Sequence, residues 1–175
     1  MKLIRLVPLE NASPRFVDAA RDAIARAYRA PVDLLKRKID LAGAYHSERN
    51  QYHSTAILEQ LTRIDDRGDF LVAVAPFDLY IPILTFVFGE AQLGGRCAVV
   101  SYHRMTQEFY GLPADERLTT SRISKTAVHE LGHVIGLTHC DDYECVMAPS
   151  HSVEWLDLKS PAICDSCRER MYVGA

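Results

Sequence analysis

Apolar and polar residues follow two different periods along the first 136 residues. Five segments with continuous or alternating apolar positions are predicted to be strands: residues 2–9, 32–41, 70–75, 84–89 and 96–101. Three segments with apolar residues three and four positions apart are predicted to be helices: residues 14–29, 51–64 and 119–136. Strands that alternate with helices in this order are typical of an α/β sheet with right-handed crossovers.

Local signals predict where several of these elements begin and end. Ser13, followed by a proline, marks the start of the first helix, Ser54 is expected to cap the second, and Thr119–Ser121 the third. The polar residues 65–69 predict a turn. A short glycine-containing loop between the last two strands predicts that they form a hairpin.

The sequence HELGHVIGLTHC carries the strongest chemical signal in the chain. On a helix, His129 and His133 lie four residues apart on one face and can bind one metal ion, with Glu130 beside them. Gly136 can adopt the left-handed conformation that ends a helix. That turn brings His139 back as a third ligand. Three imidazoles plus a water molecule make the open tetrahedral site of a catalytic zinc.

Four of the five cysteines lie close to this motif or after it. Cys140 and Cys145, with Cys164 and Cys167, have the spacing of a structural zinc site with four thiolates. Such a closed site stabilises a fold and does no chemistry. Two alternatives stay open: a redox-active pair at Cys164 and Cys167, and an iron–sulfur cluster. The fifth cysteine, Cys97, lies in an apolar strand and is predicted to be a buried thiol.

We predict one domain over residues 1–175, built from two lobes. Residues 1–136 hold the sheet and the motif helix, and residues 137–175 form a small lobe that needs the cysteine-bound zinc to fold. His139 and Cys140 are neighbours, so their side chains must diverge if they bind different ions. The structural zinc would then hold the third catalytic ligand in position.

The extended histidine motif resembles that of the metzincin zinc peptidases. The cysteine directly after the third histidine, with Cys145, Met147 and the distal Cys-x-x-Cys pair, is similar to the archaemetzincins in particular. The resemblance implies a twisted mixed sheet of about five strands with an antiparallel edge strand, three main helices and a zinc-stapled C-terminal lobe. It also implies that Met147 lies in a tight turn beneath the histidines. Two departures are a slightly short interval between Met147 and Cys164, and the lack of a tyrosine soon after the methionine.

Composition and charge exclude several classes of partner. A net charge of −3 predicts no nucleic-acid or anionic-membrane partner, and no apolar run approaches the ~20 residues of a membrane span. Arg5 and Pro8 interrupt the N-terminal apolar residues, unlike a secretory signal. Cysteines at metal-thiolate spacing suit a reducing compartment. These features predict a cytoplasmic protein, which we expect to be a monomer.

The predicted function is zinc-dependent hydrolysis of peptide bonds in peptide or protein substrates, with one catalytic and one structural zinc per chain. The metal activates a water molecule, and Glu130 takes its proton as general base. An extended substrate is expected to pair with residues 85–89, unless these form an ordinary edge strand. The alternative function is a non-catalytic two-zinc peptide-binding or scaffolding protein, because a metal site can persist with poor catalysis.

Overall fold

A five-stranded mixed sheet forms the centre of the fold in the computed structural model of the protein, which describes residues 3–64 and 70–173. The predicted turn at residues 65–69 lies outside the described residues. The helices and strands, in chain order, are β1 (Ile4–Pro8), α1 (Pro14–Tyr28), β2 (Val32–Leu34), β3 (Tyr45–His46), β4 (Gln51–His53), α2 (Ser54–Thr62), β5 (Phe70–Ala75), β6 (Leu79–Tyr80), β7 (Gly89–Ala91), β8 (Cys97–Ser101), α3 (Glu116–Val134), α4 (Val153–Leu158) and α5 (Asp165–Val173).

The central sheet has the strand order β2-β1-β5-β8-β7, and every neighbouring pair is parallel except β7 with β8. Side chains of the central strand β5 alternate between two apolar clusters. Val72 and Val74 share a cluster with α1 and α3, whereas Leu71 and Ala73 share the other with α2. The sheet is therefore covered on both faces, as the uninterrupted apolar run predicted. The expected mixed sheet with an antiparallel edge strand is confirmed.

The second strand is much shorter than the predicted residues 32–41. β2 pairs with β1 over three residues, and the N–H of Leu35 still donates to the carbonyl of Leu6 at 2.8 Å. The charged residues 36–38 that follow are exposed. Because β2 is an edge strand with solvent beside it, these side chains leave the ladder and remain hydrated.

The antiparallel edge strand is β7, three residues long, and not the predicted residues 84–89. At the start of the predicted segment, side chains and not a neighbouring strand donate hydrogen bonds to the backbone carbonyls. The guanidinium of Arg49 donates to the carbonyls of Leu84 and Thr85, and the amide of Gln51 also donates to Thr85. The predicted hairpin with β8 therefore exists, but it begins later in the chain.

A second sheet of three short strands, in the order β3-β4-β6, was not predicted. Its strand β4 takes residues that were expected to begin the second helix, so α2 starts at Ser54. The hydroxyl of Ser54 does not cap that helix; it bonds the carbonyl of Tyr80 and the carboxylate of Glu90. Local helical periodicity missed this sheet because β4 pairs with the distant strand β6, and the β3–β4 pair covers only two residues of each strand.

The chain after α3 packs against the cluster that α1 and α3 share. Its buried members in that cluster are Leu137, Cys145, Val146, Met147, Val153, Leu156, Ile163 and Cys167. Two further helices, α4 and α5, lie in this region. Among the helices of the described residues, none combines the length and apolar character needed to cross a bilayer.

Candidate metal centre and active site

Helix α3 carries three of the residues singled out in the histidine motif: His129, Glu130 and His133. It begins earlier than predicted, because the carboxylate of Asp115 caps it by accepting the N–H of Leu118 at 2.9 Å. His129 and Glu130 are buried in the helix, and His133 is half-buried one turn later. The four-residue spacing of the histidines places both rings on the same face, as predicted.

The helix ends in the way that Gly136 predicted. Gly136 has φ +99°, its N–H donates to the carbonyl of His133 at 2.9 Å, and the N–H of Leu137 donates to the carbonyl of Gly132 at 2.9 Å. These two bonds form a Schellman motif, which reverses the chain direction after a helix. The reversal returns His139 to the two helical histidines, with ring centroids 5.3 Å from His129 and 4.9 Å from His133.

Replacing Gly136 with alanine should lower the free energy of unfolding by about 1–3 kcal/mol, because a Cβ is strained at this positive φ. The new Cβ would have no heavy atom within 4 Å, so the cost is conformational and not steric. Gly43→Ala is the matched control, since that Cβ also meets open space and its φ is not positive. Chemical denaturation measures both variants. Equal stability of the two would contradict this account of the turn.

Hydrogen bonds orient the two helical imidazoles. The Nδ1–H of His129 donates to the carbonyl of Val146 at 2.8 Å, and the Nδ1–H of His133 donates to the carbonyl of Leu137 at 2.7 Å. Both Nε2 atoms are then unprotonated, and they face each other at 3.0 Å. Burial lowers the pKa of His129 to about 3 and also lowers the pKa of His133, so both rings remain neutral.

The three histidines fit a zinc ion. Their nearest ring nitrogens lie within 4.8 Å of one another. Nitrogens 2.0–2.1 Å from a tetrahedral zinc are about 3.4 Å apart, close to the separation of the two helical Nε2 atoms. Two facing lone pairs repel unless a cation lies between them, and carbonyl acceptors on the opposite ring nitrogens are the usual partners of metal-bound histidines.

Glu130 lies beside this histidine cluster, against the edge strand. Gly89 of β7 makes room for it, because a Cβ there would lie 2.7 Å from the Cγ and 2.8 Å from the Oε1 of Glu130. Burial raises the pKa of Glu130 to about 8, the Lys159 ammonium opposes that rise, and Glu90 adds to it. A cation held by the histidines would favour the carboxylate form. Neither Gly89 nor Lys159 was identified from the sequence.

The four distal cysteines also lie together, all of their sulfurs within 4.8 Å of one another. The Sγ atoms of Cys140 and Cys164 are 3.8 Å apart, and those of Cys145 and Cys167 are 3.9 Å apart. Sulfurs bound at 2.3 Å to a tetrahedral zinc are about 3.8 Å apart, so the set fits that ion. The guanidinium of Arg170, unnoticed in the sequence, lies 2.9 Å from the Cys167 sulfur and partly offsets the charge of the thiolates.

The turn that contains Met147 connects the two clusters. Met147 is fully buried under α3 at Gly132, where a Cβ would clash with its sulfur. The carbonyl of Met147 accepts the N–H of Cys140 at 3.0 Å, while the preceding carbonyl, that of Val146, accepts from His129. The sequence indicated the methionine, but not that Gly132 is required for its close approach to the helix.

An open cleft of about 480 Å³ runs over the histidines and Glu130. Residues 84–91 form its upper rim, α3 forms its floor, and Pro149, Ser150 and His151 form its lower rim. The cleft is long enough for an extended segment of a few residues. Metal ligands, a carboxylate beside them and an open groove are the parts that metal-assisted hydrolysis requires.

Comparisons with known proteins agree with this site. Residues 17–172 match the sequence pattern of peptidase family M54. The archaemetzincin of Methanocaldococcus jannaschii is 42% identical over 135 residues, which cover 77% of this chain and 74% of that protein.

Solved archaemetzincin structures have the same fold. The structure from Methanopyrus kandleri superposes with a TM-score of 0.85 at 34% identity, covering 98% of this chain and 95% of that one. The structure from Archaeoglobus fulgidus, solved as a complex with malonate, gives 0.82 at 36% identity, covering 97% and 99%. The chain therefore belongs to the archaemetzincins, peptidase family M54, a family of zinc metallopeptidases.

Proposed function

We propose that this protein hydrolyses peptide bonds at a zinc ion held by His129, His133 and His139, with Glu130 as general base. The observation that carries the proposal is the orientation of the helical imidazoles. Both donate Nδ1–H to backbone carbonyls and present bare Nε2 atoms to one point. Glu130 lines the same open cleft as the three histidines.

The bound zinc supplies Lewis acidity, which makes a water molecule a nucleophile at neutral pH and polarises the scissile carbonyl. Glu130 accepts the proton of that water and delivers it to the leaving amine. Its side chain is held between α3 and Gly89, so the carboxylate has little freedom to turn away. Burial of His129 and Glu130 strengthens the electrostatic interactions on which these transfers depend.

An extended substrate pairs with the exposed edge of β7 in this proposal. Phe88 and Gln92 direct their backbone groups toward β8. The carbonyl of Phe88 accepts the N–H of Ser101, and the N–H of Gln92 donates to the carbonyl of Cys97. In an antiparallel ladder the alternate residues direct theirs outward, so Gly89 and Ala91 offer an N–H and a carbonyl to the cleft. This edge replaces the predicted residues 85–89, whose first carbonyl is already bonded by Arg49 and Gln51.

A second zinc, bound by the four cysteines, completes the proposed metal content. Its ligands lie between α5 and the segment that follows His139, and they fill all four tetrahedral positions. The ion would stabilise residues 137–175 as a lobe of one domain with residues 1–136, and it leaves no position for a substrate.

Removal of the metal should abolish peptide cleavage, and addition of zinc should restore it. The experiment uses a diverse peptide library with zinc-loaded protein, chelator-treated protein and the reconstituted sample, each with its zinc content measured. Zinc-loaded protein that cleaves no peptide would support the non-catalytic binding or scaffolding alternative. Cleavage that persists without zinc would contradict the proposed chemistry.

A further inference from the structure

Part of the cleft lining has no role in the proposed hydrolytic chemistry. Four of these lining residues are Thr126, Ser150, Leu156 and Lys159. Thr126 precedes His129 by one helical turn, on the side away from His133, so it lies beyond the metal ligands along α3. We refer to these four residues as the side pocket.

The side pocket contains a buried ammonium group that lacks a paired carboxylate. Lys159 is 4% exposed, and its Nζ donates to the carbonyls of Val146 and Ala148. An ammonium has three N–H donors, so one remains available. Among the described residues, no carboxylate oxygen lies within 4 Å of this nitrogen.

The groups around Lys159 do not offset the effect of its burial. Burial lowers the pKa of Lys159 to about 8, Glu130 and Cys145 oppose that change, and Lys125 adds to it. A buried charge without a close carboxylate is costly, so a negatively charged ligand group would stabilise Lys159. The lysine is one of the residues that line the cleft.

Ser150 is a second polar group in the same pocket without a partner. Its Oγ is buried, and it makes no hydrogen bond within the described residues. A buried hydroxyl normally has a partner, and this one lies in the lower rim of the cleft. One N–H of Lys159 and the hydroxyl of Ser150 are therefore both available to donate to a ligand in the side pocket.

We propose that the side pocket binds a carboxylate of the substrate residue that follows the scissile bond, with Lys159 and Ser150 as its donors. The inference rests on the proposed peptide hydrolysis. The leaving amine must lie at Glu130 to receive its proton, so the residue that carries this amine lies in the cleft that Glu130 and Lys159 both line. The carboxylate is either the side chain of an acidic residue or the C-terminus of the substrate.

Matched peptides that differ only after the scissile bond test this inference. We expect the wild type to cleave before glutamate at least about tenfold more efficiently than before glutamine, measured as kcat/KM, because a charged hydrogen bond is gained. A second pair of peptides ends at the residue after the scissile bond, either with a free C-terminal carboxylate or with an amide. This pair tests whether the C-terminus is the carboxylate that binds. Lys159→Met should remove the preference, and Ser150→Ala should reduce it.

Lys125→Met is the matched control. Lys125 is also a buried lysine that donates to two backbone carbonyls, those of Leu156 and Asp157, but it lies outside the cleft lining. This variant should keep the wild-type preference. A Lys159→Met protein that lost activity equally on glutamate and glutamine peptides would assign Lys159 to maintenance of the site, and would overturn the inference.

Product binding separates this inference from the proposed hydrolysis. Calorimetry compares Glu-Ala-Ala-amide with Gln-Ala-Ala-amide, and Ala with alaninamide, on zinc-loaded wild type and on Lys159→Met. Tighter binding of the acidic member of a pair, lost in Lys159→Met, supports the pocket even if no peptide is cleaved. Equal binding within both pairs by the wild type overturns the inference, whether or not peptides are cleaved.

Discussion

Replacing Glu130 with glutamine is expected to reduce peptide hydrolysis about a thousandfold, within the range that general acid–base catalysis contributes. The amide has nearly the same volume as the carboxylate, so the packing against Gly89 and the histidine ligands should remain. It cannot accept the proton of the attacking water. The measurements are kcat/KM on a cleaved library peptide and the zinc content, which should equal that of the wild type.

Glu90→Gln is the control for the Glu130 variant. Glu90 lines the same cleft, but its carboxylate is bonded by the hydroxyl of Thr55 at 2.9 Å and lies outside the histidine cluster. We expect a much smaller loss from this change. Near wild-type turnover by a zinc-loaded Glu130→Gln protein would remove Glu130 from the mechanism.

Replacing Cys164 with serine is expected to unfold the C-terminal lobe and to weaken zinc binding at the histidines as well. A structural zinc contributes on the order of 10 kcal/mol of folding free energy in small metal-dependent domains. Loss of the lobe would release Cys140, the neighbour of His139, and the carbonyl of Val146 that orients His129. Zinc analysis should give less than one ion per chain at limiting free zinc.

Cys97→Ser controls for the general effect of exchanging a thiol. Cys97 is fully buried in β8, far along the chain from the cysteine cluster, and the hydroxyl should lower stability without changing the zinc content. A folded Cys164→Ser protein with unchanged zinc affinity at the histidines would show that the two sites are independent.

The candidate metal sites could be predicted because the residues that form each part of them are close together in the sequence. His129 and His133 are separated by a helical spacing, Gly136 ends the helix by its own conformational preference, and the cysteine pairs have short separations. The uninterrupted apolar run at β5 similarly predicted a central strand. In these cases a few neighbouring residues determine the outcome.

The predictions that failed depend on distant contacts. The segment at residues 84–88 is apolar enough for a strand, but Arg49, distant in the sequence, bonds its first carbonyls. Gly132 and Gly89 are ordinary glycines in the sequence, and only the folded chain shows that Met147 and Glu130 occupy the space of their absent side chains. Lys159 gave no signal, because its significance depends on burial.

The carbonyl oxygen of Val146 accepts two hydrogen bonds, one from the imidazole of His129 and one from the ammonium of Lys159. Exchanging the lysine to obtain a new substrate preference therefore also disturbs a partner of a proposed zinc ligand. Protein engineers who wish to retarget this cleft should begin with Ser150, which shares no acceptor with the histidines within the described residues.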